Sequence, residues 1–148
     1  MTPRARLLTK IFEQGFRTPD WRHQQPPPVV TLEEFFEGNT QAQSIAPNLD
    51  GEPGVAFFYE HLKGLRSRED VVDVLVNIYD LSDIIFGTPD GWPTAENVHL
   101  LTSAPESAIQ QWAEELHSDG AVEGWPYGES PVAPPAPEGF KWWSLTWD

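Results

Sequence analysis

Val71-Val72-Asp73-Val74-Leu75-Val76-Asn77-Ile78-Tyr79 is the stretch whose reading decides the fold. Side chains of an extended strand alternate between two faces. Val72, Val74, Val76 and Ile78 therefore share one face, and Val71, Asp73, Leu75, Asn77 and Tyr79 share the other. The first set is wholly apolar and reads as core. The second is half polar, which fits the middle of a sheet covered by helices on one face and partly open on the other.

Downstream of this strand, the connection Asp80–Glu96 carries two turn signals, Thr88-Pro89-Asp90-Gly91 and Trp92-Pro93. A connection this long is where function often sits. Val98, Leu100 and Thr102 then alternate with His99, Leu101 and Ser103, giving a second strand over residues 97–103, most simply antiparallel to the first. Ser103-Ala104-Pro105-Glu106 reads as a capping box opening a helix over 105–117, along which Ala108, Ile109, Trp112, Ala113 and Leu116 form one apolar stripe. Residues 123–138 are proline-rich loop. After Gly139 the alternation of Trp143, Leu145 and Trp147 with Phe140, Trp142, Ser144 and Thr146 predicts a closing strand over 140–147.

Upstream, Val55, Phe58, Leu62 and Leu65 recur at helical spacing over 54–66, with Asp50 as its candidate cap and Arg66 and Arg68 suiting the dipole at its end. Thr31-Leu32-Glu33-Glu34 is a second capping box, starting a two-turn helix that Gly38-Asn39 ends. Ser44-Ile45-Ala46 is a candidate edge strand. Pro26-Pro27-Pro28 marks a connector. Before it, Leu7, Leu8, Ile11 and Phe12 share one face of a short helix that Gly15 can stop.

These elements predict an α+β fold: a mainly antiparallel sheet of three to five strands packed on two main helices. Their order is closest to a ferredoxin-like or related split arrangement. The division expected is a basic amphipathic N-terminal arm, residues 1–25, followed by a single acidic α+β domain, residues 26–148. The arm holds five cations against two anions, or +3, and the remaining 123 residues carry −17 of the total −14.

Composition narrows the function classes. With no Cys, disulfides, thiol nucleophiles and Cys-ligated metals are excluded. No signal-peptide core or membrane-length apolar run is present, so a cytoplasmic protein that does not engage a membrane is expected. An acidic body repels phosphate backbones and attracts basic surfaces, which disfavours nucleic acid and favours a basic protein partner.

The candidate acid–base groups lack partners at catalytic spacing. His23, His61, His99 and His117 pair with no Ser or metal-ligand motif, and Glu114-x-x-His117 is half of a di-iron helix motif whose second half is missing. Asp73, Asp80, Asp83 and Asp90 form no calcium loop. No catalytic residue, metal site or cofactor is therefore assigned. Seven tryptophans are the unusual feature, and Trp21, Trp92 and Trp125 fall in loops, where such residues anchor interfaces, bind sugars or pack down on their own domain.

Two function classes result. The first is an acidic protein-binding module, of the immunity or inhibitor type, neutralising a basic partner such as a toxin or nuclease. Asp83, Asp90 and Trp92 on one loop and Glu123, Trp125, Tyr127 and Glu129 on another would form its docking patch, if both loops converge at one end of the sheet. The second is a small hydrolase-type enzyme or carbohydrate-binding domain using His99 or a loop carboxylate in an acidic, Trp-lined pocket.

Overall fold

The computed structural model describes residues 1–15, 26–81, 84, 87 and 89–147. The described elements run, in chain order, α1 (Pro3–Glu13), β1 (Val29–Thr31), α2 (Leu32–Phe36), α3 (Val55–Arg66), β2 (Val71–Asp80), β3 (Thr94–Thr102), α4 (Glu106–Glu115), β4 (Gly120–Glu123) and β5 (Lys141–Thr146). The strands form one antiparallel sheet in the order β1-β2-β3-β5-β4. The fold is α+β. β1 lies beside β2 and antiparallel to it, so the pair does not form the split parallel unit of a ferredoxin-like arrangement.

The edge strand is Val29–Thr31, directly after the prolines, and not residues 44–46. Two 3-10 turns, Ala42–Ser44 and Pro47–Leu49, occupy that region, and Ile45 makes only an isolated parallel bridge to Ala95. β4 is also new relative to the sequence reading; it occupies four residues between a helix and the proline-rich loop, too few to show an alternation.

β2 carries the expected core face with one displacement at its start. Val71 pairs with Thr102 and Asp73 with Leu101, leaving Val72 as the extra residue of a bulge. Alternation slips by one there: Val71 is in the core, and Val72 is 45% exposed. From Val74 the predicted faces hold.

The four helices named above all contribute to one face of the sheet. Leu7 and Ile11 of α1, Leu32 and Phe35 of α2, Phe58 and Leu62 of α3, and Ile109, Trp112 and Ala113 of α4 share a core with Val74, Val76, Val98, Leu100 and Leu145. The N-terminal helix thus packs on the domain through Leu7 and Ile11, while Phe12 is exposed. Residues 16–25 of the expected arm lie outside the described residues.

The Thr31–Glu34 capping box forms in full. The other two predicted caps do not. Asp50 sits in the left-handed region after a 3-10 turn, and Gly54 occupies the N-cap of α3 without a side-chain bond. Pro105, not Ser103, is the N-cap of α4; the hydroxyl of Thr102 accepts from the Ala104 amide and donates to the Asp70 carbonyl instead. Thr102, three residues before the proline, has its backbone fixed by strand pairing, so its hydroxyl is placed to make these bonds.

Each outer edge of the sheet is covered at one residue by a glutamine. At β1, the Gln14 carboxamide accepts from Val29 N at 3.0 Å and donates to Val29 O at 2.9 Å. At β4, Gln110 accepts from Ala121 N at 3.0 Å and donates to Ala121 O at 2.8 Å. Each amide group makes the two bonds that a residue of a further strand would make. No helix among the described residues is long and apolar enough to cross a membrane.

Candidate functional site

The second face of the sheet is covered by the loop between β4 and β5. Val29, Leu75, Leu101 and Trp142 form a small cluster there, against which Trp125, Ala133 and Phe140 pack. Beside this cluster the strands place polar residues inward: Asn77 opposite Asn97, and His99 opposite Ser144, all buried. Buried polar groups must find partners or lose free energy, so their bonds determine what the patch can do.

His99 is only 1% exposed. Its Nδ1 lies 2.6 Å from Ser144 Oγ and its Nε2 3.2 Å from Asn77 Oδ1. Burial lowers its pKa from 6.5 to about 3, so the ring is neutral near pH 7. The Ser144 hydroxyl donates its single proton to the Gly124 carbonyl at 2.7 Å, and the two ring nitrogens of His99 bridge Ser144 and Asn77 in roles set by the ring's tautomer.

Hydroxyl, imidazole and carboxamide have the connectivity of a nucleophile, a base and an orienting group. Their surroundings favour anchoring. The Trp125 ring stacks on His99 at a centroid distance of 3.9 Å and 29° between planes, and it meets Trp142 at 4.9 Å. A base with a pKa of about 3 is poorly matched to proton transfer near neutrality. The network ties Gly124 and Trp125, the start of the loop, to β5 and β3 and, through His99, to β2.

From that base the loop turns back on itself. Gly128 N donates to Trp125 O at 3.1 Å, closing a β-turn in which Pro126 holds the second position and Gly128 the fourth. Tyr127 is at the third position and 45% exposed. Glu123 and Glu129 are exposed on either side, Glu123 pairing with Lys141 at 3.2 Å. Ser130, buried, ends the turn by accepting from Val132 N. Of the expected docking residues, Glu123, Tyr127 and Glu129 form an exposed rim, and Trp125 is its half-buried footing.

The second expected loop does not join them. Trp92 is 4% exposed and its indole is bonded within the core, so it offers no anchor to a partner. Asp90 is exposed, and Asp83, like Trp21 and His23, lies outside the described residues. The two loops also leave the sheet at opposite ends. β2 ends at Asp80, level with Thr94 of β3, whereas Glu123 of β4 and Lys141 of β5 lie at the end occupied by Thr102 and Val71. Strand direction, which no single segment encodes, separates them.

Asn77, Asn97 and Ser144 were not singled out in the sequence. The available signal was polar residues at regular positions inside otherwise apolar strands. His117, in contrast, is a backbone feature: it takes φ 58° just past α4, where Ser118 N bonds to Ala113 O. Among the described residues no group of three His, Asp or Glu is placed to hold a metal ion.

The negative charge is segregated along the chain. Residues 1–68 contain eight acidic and eight basic residues and are neutral; residues 69–148 contain fifteen acidic residues and one base, Lys141, and so hold the entire −14. The rim belongs to this second half.

Residues 2–145 match the model of the uncharacterized protein YfbO family. The chain is 35% identical over 127 residues to the uncharacterized protein YfbO of Escherichia coli (strain K12), an alignment covering 84% of each chain. No solved structure matches it.

Proposed function

This chain belongs to the YfbO family, and we propose that it is an acidic protein-binding module whose ligand is a basic protein, in the manner of an immunity or inhibitor protein masking a cationic toxin or nuclease. The observation that carries the reading is the exposed Glu123–Tyr127–Glu129 rim on a loop locked at its base by the Ser144–Gly124 bond and the Trp125–His99 stack. A rigid, exposed tyrosine loses little entropy on binding, and acidic neighbours steer a basic partner toward it. The hydrolase and carbohydrate alternative draws no comparable support: His99 and Trp92, its named residues, are both buried.

The test is capture of partners on immobilised protein at low and at moderate salt, repeated with Tyr127→Ala and with Glu123→Gln/Glu129→Gln. A specific partner should dissociate faster from Tyr127→Ala, at a cost of about 2 kcal/mol. It should associate more slowly, and with less salt dependence, with the glutamine variant. Equal retention by folded variants would remove the rim from the reading. No basic protein retained at either salt would end it.

A further inference from the structure

We propose that the outer edge of β4 is where the partner engages, by adding an extended lysine- or arginine-rich segment as a sixth strand that displaces the Gln110 side chain. This inference rests on the basic-partner reading and specifies its geometry.

The register of β4 shows which peptide groups are available. Gly124 N donates to Trp142 O at 2.8 Å, and antiparallel pairing alternates. Val122 and Gly124 therefore bond toward β5, while Ala121 and Glu123 direct N–H and C=O away from the sheet. At Ala121 both groups are held by Gln110; at Glu123, an exposed residue, they face solvent. The Gln110 carboxamide thus shows that the Ala121 peptide is already set in the geometry a strand would use. A strand taking its place would exchange two hydrogen bonds for two and add those of Glu123.

The opposite edge is not equivalent. On β1 the outward groups of Val29 are taken by Gln14 and the Thr31 amide by Glu34, and the preceding Pro26-Pro27-Pro28 supplies no donors. That edge is shut along its length. β4 is covered at a single residue, by a side chain that can swing away from α4 without disturbing its backbone.

Charge selects the occupant. Asp119 and Glu123 are exposed at the two ends of β4, and Glu106 lies one turn from Gln110 with an oxygen 3.4 Å from its amide nitrogen. A second copy of the chain would bring like charges edge to edge, an unfavourable pairing. A cationic strand would meet carboxylates along its length, and its apolar positions could cover Val122, which is 45% exposed on the strand. The edge also runs directly into the Glu123–Glu129 rim.

The probe is a synthetic octapeptide alternating Lys and Val, compared with the same peptide N-methylated at alternate amides so that charge is kept and one hydrogen-bonding edge is lost. The unmodified peptide should bind at low salt and slow hydrogen exchange at the Glu123 amide. N-methylation should weaken binding at least about tenfold, and Gln110→Ala should strengthen it by about tenfold, because the competing carboxamide is gone. The exchange measurement uses the unaltered protein and does not depend on the variant folding. Equal binding of both peptides, or an unchanged Glu123 amide in the bound state, would overturn the edge-strand proposal. If Tyr127→Ala still releases a captured basic protein in that case, the wider reading stands without it. Failure of both would remove the two together.

Discussion

The indole nitrogen of Trp92 donates a hydrogen bond to the main-chain carbonyl of Phe35 at 2.8 Å, joining residues 57 positions apart. Phe35 is in the last turn of α2, where carbonyls lack a helical partner, so the bond satisfies a buried acceptor as well as packing a large ring. Trp92→Ala should therefore destabilise the fold by about 3–5 kcal/mol. Tyr127→Ala, at an exposed turn, should change stability by less than about 0.5 kcal/mol. Urea denaturation of the two variants checks both; a fully stable Trp92→Ala protein would contradict the buried assignment.

His99 should make the fold sensitive to acid. Its folded pKa, about 3, lies below the 6.5 of the free side chain because burial penalises the charged ring. The unfolded chain then binds more protons, so the stability present above pH 6.5 is lost as pH falls from 6.5 toward 3. Between pH 6.5 and 4.5 the loss from this residue is about 2 kcal/mol. His99→Gln should lack that component. Denaturation midpoints for both proteins across this range give the difference, in which the contribution of Glu33, a carboxylate held below its usual range by Arg66, is common to both.

His117 adopts φ 58°, a conformation that strains an L side chain and that glycine adopts freely. Its amide donates to Glu114 O and that of Ser118 to Ala113 O, so the helix end depends on this geometry. His117→Gly should raise stability by about 0.5–1 kcal/mol, and His117→Val should lower it by at least as much. Thermal melts of the two variants should move in opposite directions.

Gln14 should protect the β1 edge. Gln14→Ala removes both bonds to Val29, costing about 1–2 kcal/mol, and uncovers a strand edge able to pair with another chain. Sedimentation at increasing concentration should show self-association in the variant and none in the unaltered protein; a monomeric Gln14→Ala protein would show that the prolines protect the edge unaided.

What the sequence determined by itself was local or periodic. The β2 core face from Val74 to Ile78, the apolar stripes of α3 and α4, and the Thr31–Glu34 capping box are visible in residue order because their partners lie within a few positions or recur at a fixed period. Glu123 and Glu129 were legible as acidic flanks of an aromatic loop for the same reason. What the tertiary structure decided depends on distant pairing. A bulge opposite β3 exchanged Val71 for Val72, a carbonyl on α2 buried Trp92, and the antiparallel order β3-β5-β4 sent the two candidate loops to opposite ends of the sheet. The two glutamines show the limit most directly. Nothing within helical spacing of Gln14 or Gln110 marks either as a sheet residue, because the strand whose edge each one closes lies 15 or 11 positions away and is set in place by the sheet.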